Sequence, residues 1–382
     1  MRHFVTSLSA AAAIAALAIG ASARAAVGLY SITPLDSLPD TADVFVDGVN
    51  TSGQIVGYTS DSTGASHGAL WNTAGGVQEL PYISTNHASE VYRINNLGQI
   101  VGKSMADTGS FHATLWTVGG ATGQDLGTLP SGNFSFAMDI NDNGVVAGSS
   151  KALHGQHAFT WTAGGGMVDN GSQAPNANSA IAGWNGINNN GQVVGTSYVI
   201  LSPYKASYGH VGDAMPTQMS PIGQFSNGMA LAVNDAGTMV GWQSKASGGS
   251  PHAAIFHGDG TFDDLGTLGA DQTDSWASDV NELGVIVGRS FGNDPNTGDL
   301  ISKAFIREPG GEMTELATLL TDSTGWTVMF EANAISDNGY IVGTGVYNGE
   351  IRGFVLTPVP EPAALSGAGM LAVALLRRRR RV

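Results

Sequence analysis

A short motif, Asn-x-x-Gly followed by an apolar run, returns at near-constant intervals along this 382-residue chain. It reads VNTSGQIVGYT at 49–59, INNLGQIVGKS at 94–104, INDNGVVAGSS at 140–150 and INNNGQVVGTS at 187–197. It continues as VNDAGTMVGWQ at 233–243, VNELGVIVGRS at 280–290 and, with Ser in place of Asn, ISDNGYIVGTG at 335–345. The turn glycines Gly53, Gly98, Gly144, Gly191, Gly237, Gly284 and Gly339 lie 45, 46, 47, 46, 47 and 55 residues apart. A fixed period of that size restricts the chain to a propeller or a solenoid. The motif itself is a hairpin turn. Asn folds its side chain back on the local backbone, Gly takes the positive-φ position, and a strand follows at once.

Two further blocks fill each period. SHGALW at 66–71 returns as FHATLW at 111–116, QHAFTW at 156–161 and PHAAIF at 251–256, with SKAFIR at 302–307 and IRGFVL at 351–356 as later forms. The copy near His210 is degraded. A Leu-x-x-Leu block closes the units, as QDLGTLP at 124–130, DDLGTLG at 263–269 and TELATLL at 314–320. One strand before the turn, one after it and one in each block make four strands per period, which is the arithmetic of a propeller blade. The 54 glycines and the low charged fraction of 12% suit many short strands joined by tight turns.

The last unit lacks a Leu-x-x-Leu block, and the N-terminal ITPLDSLP at 32–39 supplies one in advance. One strand from the N-terminus can therefore complete the last unit and remove a free sheet edge. A solenoid needs caps and has no reason to split a unit in this way. The expected fold is all-β: a seven-bladed β-propeller of roughly 46-residue repeats over 28–358, its ring closed by an N-terminal strand.

Both ends of the chain read as targeting segments. Arg2 and His3, an Ala-rich apolar stretch over 4–19 and small-x-small sites around Ala23 and Ala25 make 1–25 a secretory signal peptide. The tail over 359–382 joins Val359-Pro360-Glu361-Pro362, an uncharged stretch over 363–376, and Arg377, Arg378, Arg379, Arg380 and Arg381. Counted from Val359 the apolar stretch reaches 18 residues, near the roughly 20 that a bilayer span needs, and the arginines would stay on the cytoplasmic side. A plain anchor has no use for Pro-Glu-Pro, because Pro ends a helix and Glu is costly in lipid.

This three-part tail resembles the PEP-CTERM sorting signal of Gram-negative bacteria. The resemblance implies recognition by exosortase, a membrane enzyme that cuts at or near Pro-Glu-Pro. It also implies a transient inner-membrane anchor before passage to the cell surface or the extracellular polymer. The His-containing blocks resemble the bacterial extracellular repeat family named for its His-Ala-Phe tripeptide, complete here at His157-Ala158-Phe159. That second resemblance implies an exported repeat protein and no particular reaction.

Charge narrows the partners. Without the leader and tail, nine basic and 30 acidic side chains remain, a net of −21. Such a body repels nucleic acid and anionic lipid, and leaves cations, basic proteins or neutral glycans. The chain has no Cys, which excludes disulfides, thiol catalysis and thiolate metal sites.

Few residues invite a chemical reading. His67, His112, His157, His210 and His252 suggest a metal ring, but each belongs to a different repeat, and Lys303 and Arg352 stand at the same position elsewhere. Packing with one hydrogen bond is the better account. Asp139, Asn141 and Asn143 open a D-x-N-x-N-G calcium pattern, yet its twelfth position is Ser150, where a bidentate Glu is required. No hydrolase, zinc-protease or phosphate-loop motif is present, and no cofactor is expected. The longest departure from the repeat is at 198–225, where Tyr198, Tyr204, Tyr208 and His210 offer flat rings with polar tips for sugar or protein recognition. The expected function is a secreted or surface propeller that binds extracellular polysaccharide or protein, or builds the matrix. A glycan-cleaving enzyme on the same scaffold is the alternative.

Overall fold

The computed structural model describes residues 29–73, 75–172, 180–199, 203–219, 227–244, 249–294 and 297–360. The folded unit spans Leu29–Val359, so the leader and the tail beyond Pro360 lie outside the described residues. Among those residues no helix is long and apolar enough to cross a membrane, and one 3-10 turn, Leu316–Leu319, is the only helical element.

Each repeat folds as the turn chemistry dictates. In the second, Ser89–Ile94 runs into the Asn95–Gly98 turn, Gln99–Met105 returns, and Phe111–Thr117 and Gln124–Asp125 complete a meander. The first strands of all the repeats meet around one funnel, lined among others by Val49, Ile94, Ile140, Ile187, Val280 and Ile335. The core lies between neighbouring sheets. Val56, Leu70 and Leu80 of the first repeat pack with Val91, Ile100 and Trp116 of the second, and Ala147 and Ala158 of the third pack with Ala182 and Trp184 of the fourth. Four-stranded meanders set radially about a funnel, with their faces packed on one another, are a β-propeller.

The sheets differ in one respect from the expected seven separate blades. Five are four-stranded and one is eight-stranded. The large sheet joins the third and fourth repeats, because Gln156 on the third strand of one makes a parallel pair with Ile181 on the first strand of the next. Tyr30–Pro34 pairs antiparallel with Glu350–Pro358, Tyr30 opposite Pro358, and so takes the fourth-strand place in the sheet of the last repeat.

The repeat's two glycines answer different demands. Gly98, in the turn, has φ of 75°, a region that L side chains rarely adopt. Gly102, in the second strand, has ordinary φ but lies opposite a β-bulge between Val91 and Arg93. The bulge drives the Glu90 carbonyl to 2.1 Å from where a Cβ on Gly102 would stand. A bulge in the first strand recurs in every repeat, for example between Ala137 and Asp139 and between Ala277 and Asp279, and it turns the following side chains towards the axis.

Gly102→Ala is expected to cost about 3 kcal/mol or more in urea unfolding, because backbone must move to admit the methyl. Gly109→Ala, at φ of 77° with nothing within 4 Å, should cost only about 1 kcal/mol. Equal losses would show that the bulge yields easily.

Candidate functional site

The turn face is consumed by structure. Each turn Asn uses its Oδ1 on its own turn, as Asn95 Oδ1 does in accepting from Leu97 N at 3.1 Å and Gln99 N at 2.8 Å. Its Nδ2 crosses to the next repeat. Asn50 donates to the Asn95 carbonyl at 3.0 Å, Asn95 to Asn141 at 2.9 Å, Asn141 to Asn188 at 2.9 Å and Asn188 to Asn234 at 2.9 Å. Asn234 donates to Asn281 at 3.0 Å and Asn281 to Ser336 at 3.2 Å. The following residues make a second tier, in which Asn96 N donates to Asp142 and Asn189 N to Asp235.

The calcium pattern is absorbed here. Asp139 accepts from Ile140 N and Ile187 N, and Asn141 Oδ1 accepts from Asn143 N and Val145 N. Asn143 donates to the Asn189 carbonyl. Among the described residues no group of three or more His, Asp or Glu side chains could hold a metal ion.

The His position is structural too. His67, His112, His157 and His252 meet Glu79, Asp125, Asp169 and Asp264 of the outermost strand at 3.0, 2.9, 2.9 and 2.8 Å. Lys303 meets Glu315 in the same way at 3.3 Å. His210 is not their counterpart. Ser197 pairs with Lys205 as Ser104 pairs with His112, so the fourth repeat carries Lys205 at this place, and His210 lies exposed at the far strand end. In these five repeats a base at this position latches the outer strand, whereas Arg352 of the seventh meets Glu350 and Ala42 O.

Beneath the Asn ring the bulges project charge into the axial channel. Asp47 and Arg93 stand there, in a channel section lined also by Tyr92, Met138, Asn185 and Asn333 that encloses about 190 Å³, and Asp139 and Asp279 lie within reach of the Arg93 charge. Asp47 is only partly buried as a residue, but its Oδ2 is shut from solvent and has no hydrogen-bond partner. Burial pushes its carboxyl up to about 7, against the pull of Arg93. Burial also raises Asp139 to about 6, opposed by Arg93 and by the amides of Ile187 and Ile140. Asp279 is raised for the same reason.

The opposite face holds an open cleft between the sixth, seventh and first repeats. Phe45, Phe291, Phe330, Leu300 and Ile351 wall it, Arg289, Glu331, Ser302 and Thr344 supply its polar groups, and it encloses about 320 Å³. Arg289 Nη1 donates to Glu331 Oε2 at 2.9 Å. Its guanidinium lies 4.2 Å from the Trp276 ring centre and 5.2 Å from that of Phe291, and so is held in place by aromatic faces. Asn333 braces the pair from the channel side, donating to Val46 O at 2.9 Å and to Glu331 Oε1 at 3.4 Å. Thr344 is 3% exposed, and its hydroxyl has no partner. The equivalent notch between the second and third repeats is filled: Lys103 sits on Glu90 at 3.0 Å and over the rings of Phe111 and Phe136.

The tyrosines singled out in the sequence are divided by the fold. Tyr198 and Tyr204 lie together, ring centres 4.3 Å apart, at the end of the fourth repeat away from its turn. Tyr208 packs into the core between the fourth and fifth repeats, and its hydroxyl reaches Gly258 O at 3.4 Å. The cleft was marked by one signal in the sequence, the 55-residue interval between Gly284 and Gly339. Leu300 and Ser302 stand within that longer interval.

No family model matches this chain, and no curated protein does. Solved structures share its fold. A puromycin-hydrolyzing peptidase of Mycobacterium tuberculosis is 13% identical with a TM-score of 0.51, over 88% of this chain and 55% of the peptidase. An oligogalacturonate lyase in complex with manganese is 9% identical with a TM-score of 0.51, over 87% of this chain and 99% of the lyase. The β-propeller domain of the Trilobed protease from Pyrococcus furiosus, which has an open velcro topology, is 8% identical with a TM-score of 0.50, over 85% and 97%. This chain thus spans about half the length of the peptidase and nearly all of the other two, and at these identities the likeness is one of fold.

The channel acids set a pH dependence. Their folded pKa values lie above the unfolded carboxylate value of about 4. Their contribution is therefore fully present below pH 4 and is lost as pH rises through about 6 for Asp139 and about 7 for Asp47. The melting temperature should fall between about pH 4 and pH 7, and Asp47→Asn should flatten that slope. A variant as steep as the parent in a calorimetric pH series would place the titration elsewhere.

Proposed function

We propose that this protein is an exported, non-catalytic binding propeller, and that its ligand enters the cleft walled by Phe45, Phe291 and Phe330. The single observation that carries this reading is the preformed cleft itself: aromatic walls with a braced Arg289–Glu331 pair and an unpartnered, buried Thr344 hydroxyl. Ligand sites are concave and mostly apolar, with a few fixed polar groups, and the cleft has that composition. Delivery is assigned to the leader over 1–25 and the tail over 359–382, with exosortase processing at Pro360-Glu361-Pro362. Cell fractionation of the protein with this triplet changed to alanines is the check on that step.

The scaffold is read as seven blades closed into a ring. The eight-stranded sheet counts as two blades, since one parallel pair joins two antiparallel meanders. Closure is supported by the pairing of Tyr30–Pro34 with Glu350–Pro358 and by bonds from the seventh repeat to the first. Asn333 donates to Val46 O at 2.9 Å, Asn338 to Thr51 O at 2.8 Å, and Arg352 to Ala42 O. A second reading, a glycan-cleaving enzyme, rests on Asp47, because a carboxyl kept protonated near neutral pH is what a general acid needs. Release of reducing ends by the purified protein, abolished in Asp47→Asn, would favour it.

Two outcomes are expected. Phe330→Ala should weaken binding to extracellular polymer or protein by about 1–2 kcal/mol with melting unchanged, as loss of an anchoring aromatic does; binding that survives would move the site off the cleft. Deleting 29–40 should abolish cooperative melting, because it exposes the edge of Glu350–Pro358; a sharp, unshifted transition in calorimetry would refute ring closure.

A further inference from the structure

Resting on the binding reading above, we infer that the cleft seats one pyranose ring of a neutral polysaccharide. The walls supply the first part of the argument. Phe45, Phe291 and Phe330 supply apolar carbon surface, which accepts the C–H face of a sugar ring. An apolar side chain from a protein partner would use those walls equally well, so the polar groups decide.

Thr344 is 3% exposed, lines the cleft, and carries a hydroxyl with no hydrogen-bond partner. A purely apolar occupant would leave that hydroxyl permanently unpaired. A sugar hydroxyl, which both donates and accepts, pairs it once the side chain turns its oxygen, closed to solvent in the free protein, towards the cleft. Arg289 and Glu331 stand side by side at 2.9 Å, an all-donor group beside an all-acceptor group. Neighbouring hydroxyls on a ring complement that arrangement. Ser302 adds oxygen lone pairs, because its proton goes to Phe330 O at 2.7 Å.

Charge selects the kind of sugar. The Arg289–Glu331 pair is neutral in sum, and the body around it carries a net of −21, so a polyanionic glycan meets repulsion with no compensating cation. Asn333 and the stacked Trp276 hold the polar groups in place before any ligand arrives, which limits the ordering cost of binding.

The test uses the purified full chain, titrated by calorimetry and by tryptophan fluorescence, since Trp276 lies under Arg289. The probes are neutral cello-, malto- and galacto-oligosaccharides, polygalacturonate as the acidic polymer, and indole as an apolar ring. The expected result is binding of at least one neutral series, weakened about tenfold by Phe330→Ala and by a similar factor by Thr344→Val, with polygalacturonate failing to compete. Thr344→Val keeps the shape of the side chain and removes only the hydroxyl, so it remains informative should Phe330→Ala misfold. Unchanged affinity in Thr344→Val, or tighter binding of polygalacturonate, would overturn the inference. Indole binding that depends on Phe330, with no sugar bound, would leave the cleft as a binding site and sink the sugar. Sugar binding that neither variant weakens, or no binding of any probe, would sink both.

Discussion

Everything in this molecule hangs on a bifunctional amide. The turn Asn accepts with Oδ1 from two amides of its own hairpin and donates with Nδ2 to a carbonyl of the next repeat. One side chain thereby fixes the turn and the angle between neighbouring sheets. A net hydrogen bond contributes only about 1 kcal/mol, but a buried amide left without a partner costs more than that. These Asn residues are 2–5% exposed, so the run of turns is held as much by the penalty for breaking it as by its own strength. The seventh repeat shows how the constraint is met by other means. Ser336 cannot reach across, so its hydroxyl serves the local turn at Tyr340 N, and Asn338, two residues on, supplies the amide to Thr51 O.

Fixing the turn face in this way divides the labour over the rest of the molecule. Near the axis, the bulges that make Gly102 and its equivalents obligatory also turn Asp47 and Arg93 into the channel, with Asp139 and Asp279 close to the Arg93 charge. Two of these acids tie adjacent first strands, Asp139 to Ile187 N and Asp279 to Ile335 N. At the rim, a basic side chain pairs with an acid of the outermost strand and latches a strand as short as two residues. Both regions are committed to holding the sheets in place.

The face away from the turns is the one left free to vary. Between neighbouring repeats the second strand of one lays a side chain on the first strand of the next. Trp242 stacks on Trp276, and Lys103 covers Phe136. Where Arg289 meets Glu331, the same contact opens into a cleft, because Ser302 stands where Phe111 stands in the second repeat and the longer sixth interval adds Leu300 to the wall. Variation on a rigid scaffold is where recognition is built.

The sequence alone determined what is local. The Asn-x-x-Gly turn, its positive-φ glycine, the four-strand period and the pairing role of the His block all follow from spacings within one repeat, as does the N-terminal stretch that matches the missing fourth strand. Tertiary structure decided what depends on repeats meeting. It placed Lys205, and not His210, at the latch position, because that assignment comes from strand register with no matching tripeptide. It separated Tyr208 from Tyr198 and Tyr204, because antiparallel register sets Tyr198 opposite Tyr204 while Tyr208 stands four residues, about 13 Å, further along the chain. It brought Asp47 near Arg93, and Arg289 to Glu331, across 46 and 42 residues of chain. Radial packing sets those distances, and a repeat period reports only that the sheets recur, with no information on which side chains confront each other between them.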